Sequence, residues 1–276
     1  MGEARQRSRS RAKILAGDAR CIYCESPATT IEHMPPVAMF KNRQRLSGFE
    51  FPACLECNTA TRAADAAACF FARISPQQFA PKWEIDEAYK LVGTLARLAP
   101  SFIGELFDER VTSRIWMKGR DPVATPKTSI VLNGPVTRAL MQAFTAKLGM
   151  ALYAEHIGAP LPNGGAVFTK FFFNHGLTRG EAEATLQILP VMGQMRMGRQ
   201  SSGRQFNYRY NTDDRSIIFA FAAFHDNLFT RAVAVSNPDT YRATLTGDYN
   251  EAEVQLSEIT TLASIWNDRT QQPSAA

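Results

Sequence analysis

Two C-x2-C pairs, Cys21/Cys24 and Cys54/Cys57, stand on either side of Glu32-His33 in the first quarter of the chain, and Asn58 directly follows the last cysteine. A tight turn brings residues i and i+3 together, so each pair can offer two thiolates to one ion. Four thiolates suit a closed, tetrahedral Zn2+, which staples a fold but keeps no open position for chemistry. Glu32, His33 and Asn58 differ in kind. A carboxylate and an amide oxygen suit a hard cation such as Mg2+ or Mn2+. A neutral imidazole, with an ordinary pKa of ~6.5, can take a proton from water at physiological pH. Hydrolysis of a phosphodiester needs both: an activated water, and a cation to neutralise charge on the phosphorane and the leaving oxygen. Plainer readings stand beside this one. The cysteines also suit a zinc knuckle without catalysis, Glu32-His33 a surface pair, and Asn58 a helix cap. On extended backbone, neighbouring side chains point to opposite faces. Glu32 and His33 therefore share one phosphate only if the segment bends or the ligand lies across its end.

The runs Cys21-Ile-Tyr-Cys24, Thr30-Ile31-Glu32-His33-Met34-Pro35-Pro36 and Cys54-Leu55-Glu56-Cys57-Asn58 resemble the HNH (ββα-metal, treble-clef) endonucleases, in the subset built on a four-cysteine structural zinc site. The resemblance covers about residues 15–75. It implies structural zinc on Cys21, Cys24, Cys54 and Cys57, a catalytic Mg2+ or Mn2+ on Glu32 and Asn58, and His33 as general base. Many members carry histidine or aspartate where Glu32 stands, and a central asparagine that buttresses the base. Asn42 matches that asparagine by rough position only. Asp65, eight residues after Cys57, is a further carboxylate for the outer shell. The expectation is a divalent-metal-dependent endonuclease acting on DNA (RNA possible), in bacterial defence or a mobile element. The alternative is a non-catalytic, zinc-dependent nucleic-acid-binding protein.

Charge is uneven. Residues 1–20 hold Arg5, Arg7, Arg9, Arg11, Lys13 and Arg20 against Glu3 and Asp18, net +4, in a chain of net +5. Such an arm fits phosphate contacts and a salt-dependent, sequence-independent affinity, or else a solvated tail. Lys41, Arg43 and Arg45, between the knuckles, would extend the same track.

These residues need elements to position them. The sequence predicts an α+β protein: a small zinc-bound ββα-metal module, then a larger domain of mixed helix and antiparallel sheet. The expected division is a basic flexible arm over 1–14, the zinc module over 15–75, a recognition, regulatory or dimerisation domain over 76–270, and a loose tail over 271–276. Lys82–Leu98 has helical spacing, and Pro100 restarts a helix to about Trp116. Residues 119–127 read as a loop and Ser129–Leu132 as a short strand. Gly134-Pro135 opens a helix ending before Gly158. Val167–Phe173 reads as a strand, and Thr178 with Glu181 as a capping box. Gln205–Tyr210, Ser216–Phe224 and Leu228–Val235 read as strands, the last two a hairpin through His225-Asp226-Asn227. Residues 251–266 read as a closing helix. The basic, glycine-bearing stretch 193–203 reads as a connector. His156 and His175 read as structural, His225 as exposed, and Cys69 as a buried apolar thiol.

The chain has 276 residues, 45% hydrophobic and 21% charged, ordinary for a globular protein. No apolar run reaches the roughly 18 residues of a membrane span. Five cysteines, four in metal spacing, fit a reducing compartment, and no apolar leader is present, so a cytoplasmic location is expected. Homo-oligomerisation through the C-terminal domain is an open possibility.

Overall fold

The computed structural model describes residues 11–41, 48–74, 82–118, 124–174, 195–198, 201–242, 252–255 and 258. Thr30–His33 (β1) and Glu50–Ala53 (β2) pair antiparallel, with Glu32 opposite Phe51 and His33 opposite Glu50. Leu55–Ala60 (α1) follows, capped by Cys54, and then Arg62–Arg73 (α2). The second helix is alanine-rich, a strong local preference. Its small side chains let neighbours approach, and it is buried from Ala66 through Ala72.

Lys82–Leu98 (α3) is the helix its spacing predicts. Pro100–Leu106 (α4) is shorter than expected. Instead of continuing to Trp116, the chain forms a hairpin of Arg114–Lys118 (β3) and Ala124–Thr128 (β4). The expected loop over 119–127 and the strand at Ser129–Leu132 are corrected accordingly: β4 lies within the first, and 129–132 has no strand. Arg114-Ile-Trp-Met-Lys118 has β-prone residues at its centre, and cross-strand pairing outweighs the helical reading.

Pro135–Ile157 (α5) runs as predicted and ends at Gly158, whose φ of 83° is left-handed. Its first turn is capped from outside: Glu105 on α4 accepts from the N–H groups of Val136 at 2.8 Å and Thr137 at 2.7 Å.

The main sheet has six described strands: Ala166–Phe173 (β5), Arg196–Met197 (β6), Phe206–Thr212 (β7), Ile217–Phe224 (β8), Leu228–Val235 (β9) and Ala252–Gln255 (β10). They are antiparallel in the order β10-β5-β9-β8-β7-β6. The predicted β8–β9 hairpin is present, with Phe224 opposite Leu228. The predicted helix over 251–266 is corrected at 252–255, which form β10 against β5 because a long-range partner satisfies their backbone; residues 251, 256, 257 and 259–266 lie outside the described residues. Arg196–Met197, expected in a connector, is a short edge strand. His175 and the Thr178/Glu181 capping box lie outside the described residues.

One apolar core runs through the cysteine-bearing N-terminal stretch and the sheet. Phe49 meets Phe206 and Tyr208 edge-on, with centroids 6.3 and 5.9 Å apart. Phe71 meets Phe173 at 4.6 Å. Such offset and tilted contacts are the favoured aromatic geometries. No helix among the described residues is long and apolar enough to cross a membrane.

Candidate metal centre

Two turns bring the cysteines together. In the first, the Cys21 N–H donates to the Ser26 carbonyl at 2.8 Å and the Glu25 N–H to the Cys21 carbonyl at 2.9 Å. The Ile22 N–H reaches the Pro52 carbonyl at 3.1 Å and ties this knuckle to β2. The second turn is the start of α1, where the Cys54 sulfur accepts from the Cys57 N–H at 3.3 Å. The Tyr23 N–H donates likewise to the Cys21 sulfur at 3.4 Å. The four ligand sulfurs lie within 4.8 Å of one another, with Cys24 and Cys54 3.6 Å apart. Sulfurs ~2.3 Å from a tetrahedral zinc stand about 3.8 Å apart, so size and donor chemistry both fit. The Cys57 thiol, hydrogen-bonded to Cys21, draws Cys21 down to about 5, and the same contact pushes Cys57 well up. The cluster can hold a metal ion such as zinc. Cys69 lies apart, buried on α2, its thiol pushed up by desolvation.

Adjacent to this cluster is a buried charge cluster. Glu32 faces the core, 4% exposed. Its Oε2 lies 3.3 Å from Lys147 Nζ, which comes from α5 and has no exposed side-chain surface. Lys147 Nζ also donates to both oxygens of Asp65 on α2, at 2.9 and 2.8 Å. The ammonium sits 5.6 Å from the Tyr23 ring centroid, within cation–π range. Burial raises the Glu32 carboxyl to about 7; Lys147 pulls it down and Asp65 pushes it up. Burial alone would lower Lys147, but Asp65 and Glu32 outweigh it and hold the ammonium above its usual value. One cation among two carboxylates is balanced when Glu32 keeps a proton.

A second, hard-ligand cation does not fit Glu32 and Asn58 as they stand. The positive charge in that pocket is the Lys147 ammonium. The Asn58 amide NH2 donates to Thr30 Oγ1 at 3.2 Å and to the Ile31 carbonyl at 3.4 Å. It fastens α1 to β1, while Cys54 is the helix cap.

His33 lies on the opposite strand face from Glu32, as alternation requires, and its side chain is one-third exposed. Its Nδ1 stands 3.7 Å from Glu50 Oε1, directly across the hairpin. The two neighbours therefore do not converge. Lys41 pairs with Glu84, lies 5.8 Å from the Trp83 ring centroid, and donates its N–H to Gln205 Oε1 at 2.7 Å. It joins the cysteine-bearing stretch to α3 and to the residue preceding β7. Arg11 begins a helical turn over 11–14, part of the stretch expected to be a flexible arm. Arg5, Arg7, Arg9, Asn42, Arg43, Arg45 and Arg199 lie outside the described residues.

His156 is structural as predicted, its Nε2 3.0 Å from the Tyr208 hydroxyl and its ring stacked on Tyr210 at 3.7 Å. His225 is corrected from exposed: its Nε2 lies 2.8 Å from the Met39 carbonyl, and burial lowers its pKa.

Sequence reasoning missed Lys147 and Glu50. Lys147 left a signal, being the sole charge in the apolar run Leu140–Tyr153. A lysine there is almost never fully buried without a partner. Glu50 left none, because its role depends on strand register.

No family model matches this chain, and no curated protein or solved structure matches it either.

Proposed function

We propose that the protein is an endonuclease of the HNH type that hydrolyses phosphodiester bonds of DNA, with His33 as general base. The observation that carries this reading is the His33–Glu50 pair, its imidazole one-third exposed, on a hairpin tied to the four-cysteine cluster through the Ile22 N–H and the Pro52 carbonyl. A carboxylate beside Nδ1 favours the tautomer with a proton there, so that Nε2 is the nitrogen to accept a proton from water. Glu50 thereby takes the buttressing part expected of a central asparagine. Zinc on Cys21, Cys24, Cys54 and Cys57 would hold the hairpin and α1 in place; being four-coordinate, it would take no part in bond cleavage. The reading assigns no divalent cation to Glu32, which is buried against the Lys147 ammonium.

That ion pair favours one second reading, a zinc-dependent nucleic-acid-binding protein without catalysis. Incubating the full chain with supercoiled plasmid, linear duplex, single-stranded DNA and RNA separates the two. Cleavage of any of these, lost in folded, zinc-loaded His33→Ala, supports the nuclease. Cleavage of none, with retained binding, supports the second reading.

A further inference from the structure

The β3–β4 hairpin exposes a large aromatic with no folding role. Trp116 is 71% exposed, and Ile115 beside it 41%. Register sets Trp116 opposite Pro126, which is exposed, and Arg114, also exposed, is two positions back on the same face. The strand sequences Arg-Ile-Trp-Met-Lys and Ala-Thr-Pro-Lys-Thr contain three cationic residues, Arg114, Lys118 and Lys127, and no acidic one, net +3. Neither strand pairs with any other described strand. The base of the hairpin is anchored: the Ser129 N–H donates to the Ser113 carbonyl at 2.9 Å, and the Val131 N–H to the Leu106 carbonyl at 3.0 Å. Arg110 at the base is already paired with Asp108 at 2.8 Å. The result is a two-stranded ribbon, anchored at its base, that presents Trp116 and Arg114 on one face.

We propose that this ribbon binds an unpaired nucleic-acid strand, Trp116 stacking on a base while Arg114, two positions back on the same face, meets a backbone phosphate. The proposal rests on the nucleic-acid reading above and adds a second contact surface to it. Stacking on an aromatic side chain needs a base released from its helix, which points to single strands over duplex. Charge argues against a second copy of this chain as the occupant, because two such ribbons would set +3 against +3. The same charge is complementary to phosphates, and contacts of this kind release counterions.

Fluorescence anisotropy with labelled single-stranded DNA, single-stranded RNA and duplex DNA of equal length tests it on the full chain. Losing one stacked base costs about 1–3 kcal/mol, so Trp116→Ala should weaken single-strand binding about 5- to 150-fold. Trp116→Phe should retain most of the affinity, and duplex binding should change less. Arg114→Gln should flatten the salt slope on single strands by about 0.7. The relative affinity for DNA and RNA identifies which strand is the natural one. Unchanged single-strand affinity in Trp116→Ala overturns the ribbon proposal alone. A wild-type dimer that Trp116→Ala dissolves, seen by light scattering, overturns it in favour of a self-interface. A wild type that binds no strand of any kind overturns the nucleic-acid reading itself, and the ribbon with it.

Discussion

Lys147→Met keeps the length of the side chain and removes its charge, leaving the Glu32 and Asp65 carboxyls without their cation. At an effective dielectric of about 20, the Lys147 ammonium and the Asp65 carboxylate, 2.8 Å apart, attract by about 6 kcal/mol. Desolvation of the buried groups cancels much of that gain. Breaking a buried pair from one side nonetheless costs about 3–5 kcal/mol, because the remaining charge is stranded. A domain of ordinary stability has only about 5–15 kcal/mol in all. Urea denaturation at pH 7, with zinc present, should therefore show Lys147→Met losing about 3–5 kcal/mol. The loss should shrink toward pH 5, where the stranded carboxyls can take up protons. The triple variant K147M/E32Q/D65N removes every charge and should recover much of the loss. A Lys147→Met protein within about 1 kcal/mol of wild type at pH 7 would refute the claim that this cluster holds α5 to β1 and α2.

Three further outcomes follow from the same structure. Glu32 titrates at about 7 in the fold against 4.5 ordinarily, so between those values the folded state holds the extra proton. Its contribution to stability is thus fully present below about pH 4.5 and lost as pH rises through 7, and Glu32→Gln should flatten that part of a pH–stability curve. Cys21→Ser or Cys54→Ser should lose zinc by metal analysis and lower the melting temperature, since metal binding to such a cluster is coupled to folding. Glu105→Ala removes the acceptor for two N–H groups of α5 and should cost about 0.5–2 kcal/mol. Gly134→Ala should disturb the same cap, because its Cβ would stand 2.0 Å from the Glu105 carboxyl carbon. The double variant should then cost less than the sum of the two, measurable by the same denaturation.

The features legible in the sequence are those fixed by short-range spacing. Leu140, Phe144, Leu148 and Leu152, between Gly134-Pro135 and Gly158, mark α5 because the periodicity runs unbroken for several turns. The β8–β9 hairpin is visible because both arms are β-prone and the turn is short. The cysteine cluster is visible because i, i+3 pairs are metal knuckles by geometry. What escaped depends on contacts distant along the chain. Lys147 meets Asp65 across 82 positions, and nothing near Glu32 announces that its carboxyl is inward and already matched. β10 is a strand only because β5 offers it an edge, and β3 only because β4 folds back on it. Asn58 reads as a metal ligand or a helix cap; its bonds to Thr30 and Ile31 depend on β1 lying beside α1, which local spacing does not announce.

His33→Ala is the most direct test of the central claim. Its side chain is partly exposed and lies outside the buried charge cluster, so zinc content and melting temperature should match wild type. On whichever substrate the wild type cleaves, the account predicts a rate lower by about 10^2 to 10^4, as for loss of a general base, with nucleic-acid affinity nearly unchanged. Wild-type cleavage by zinc-loaded, folded His33→Ala would contradict it.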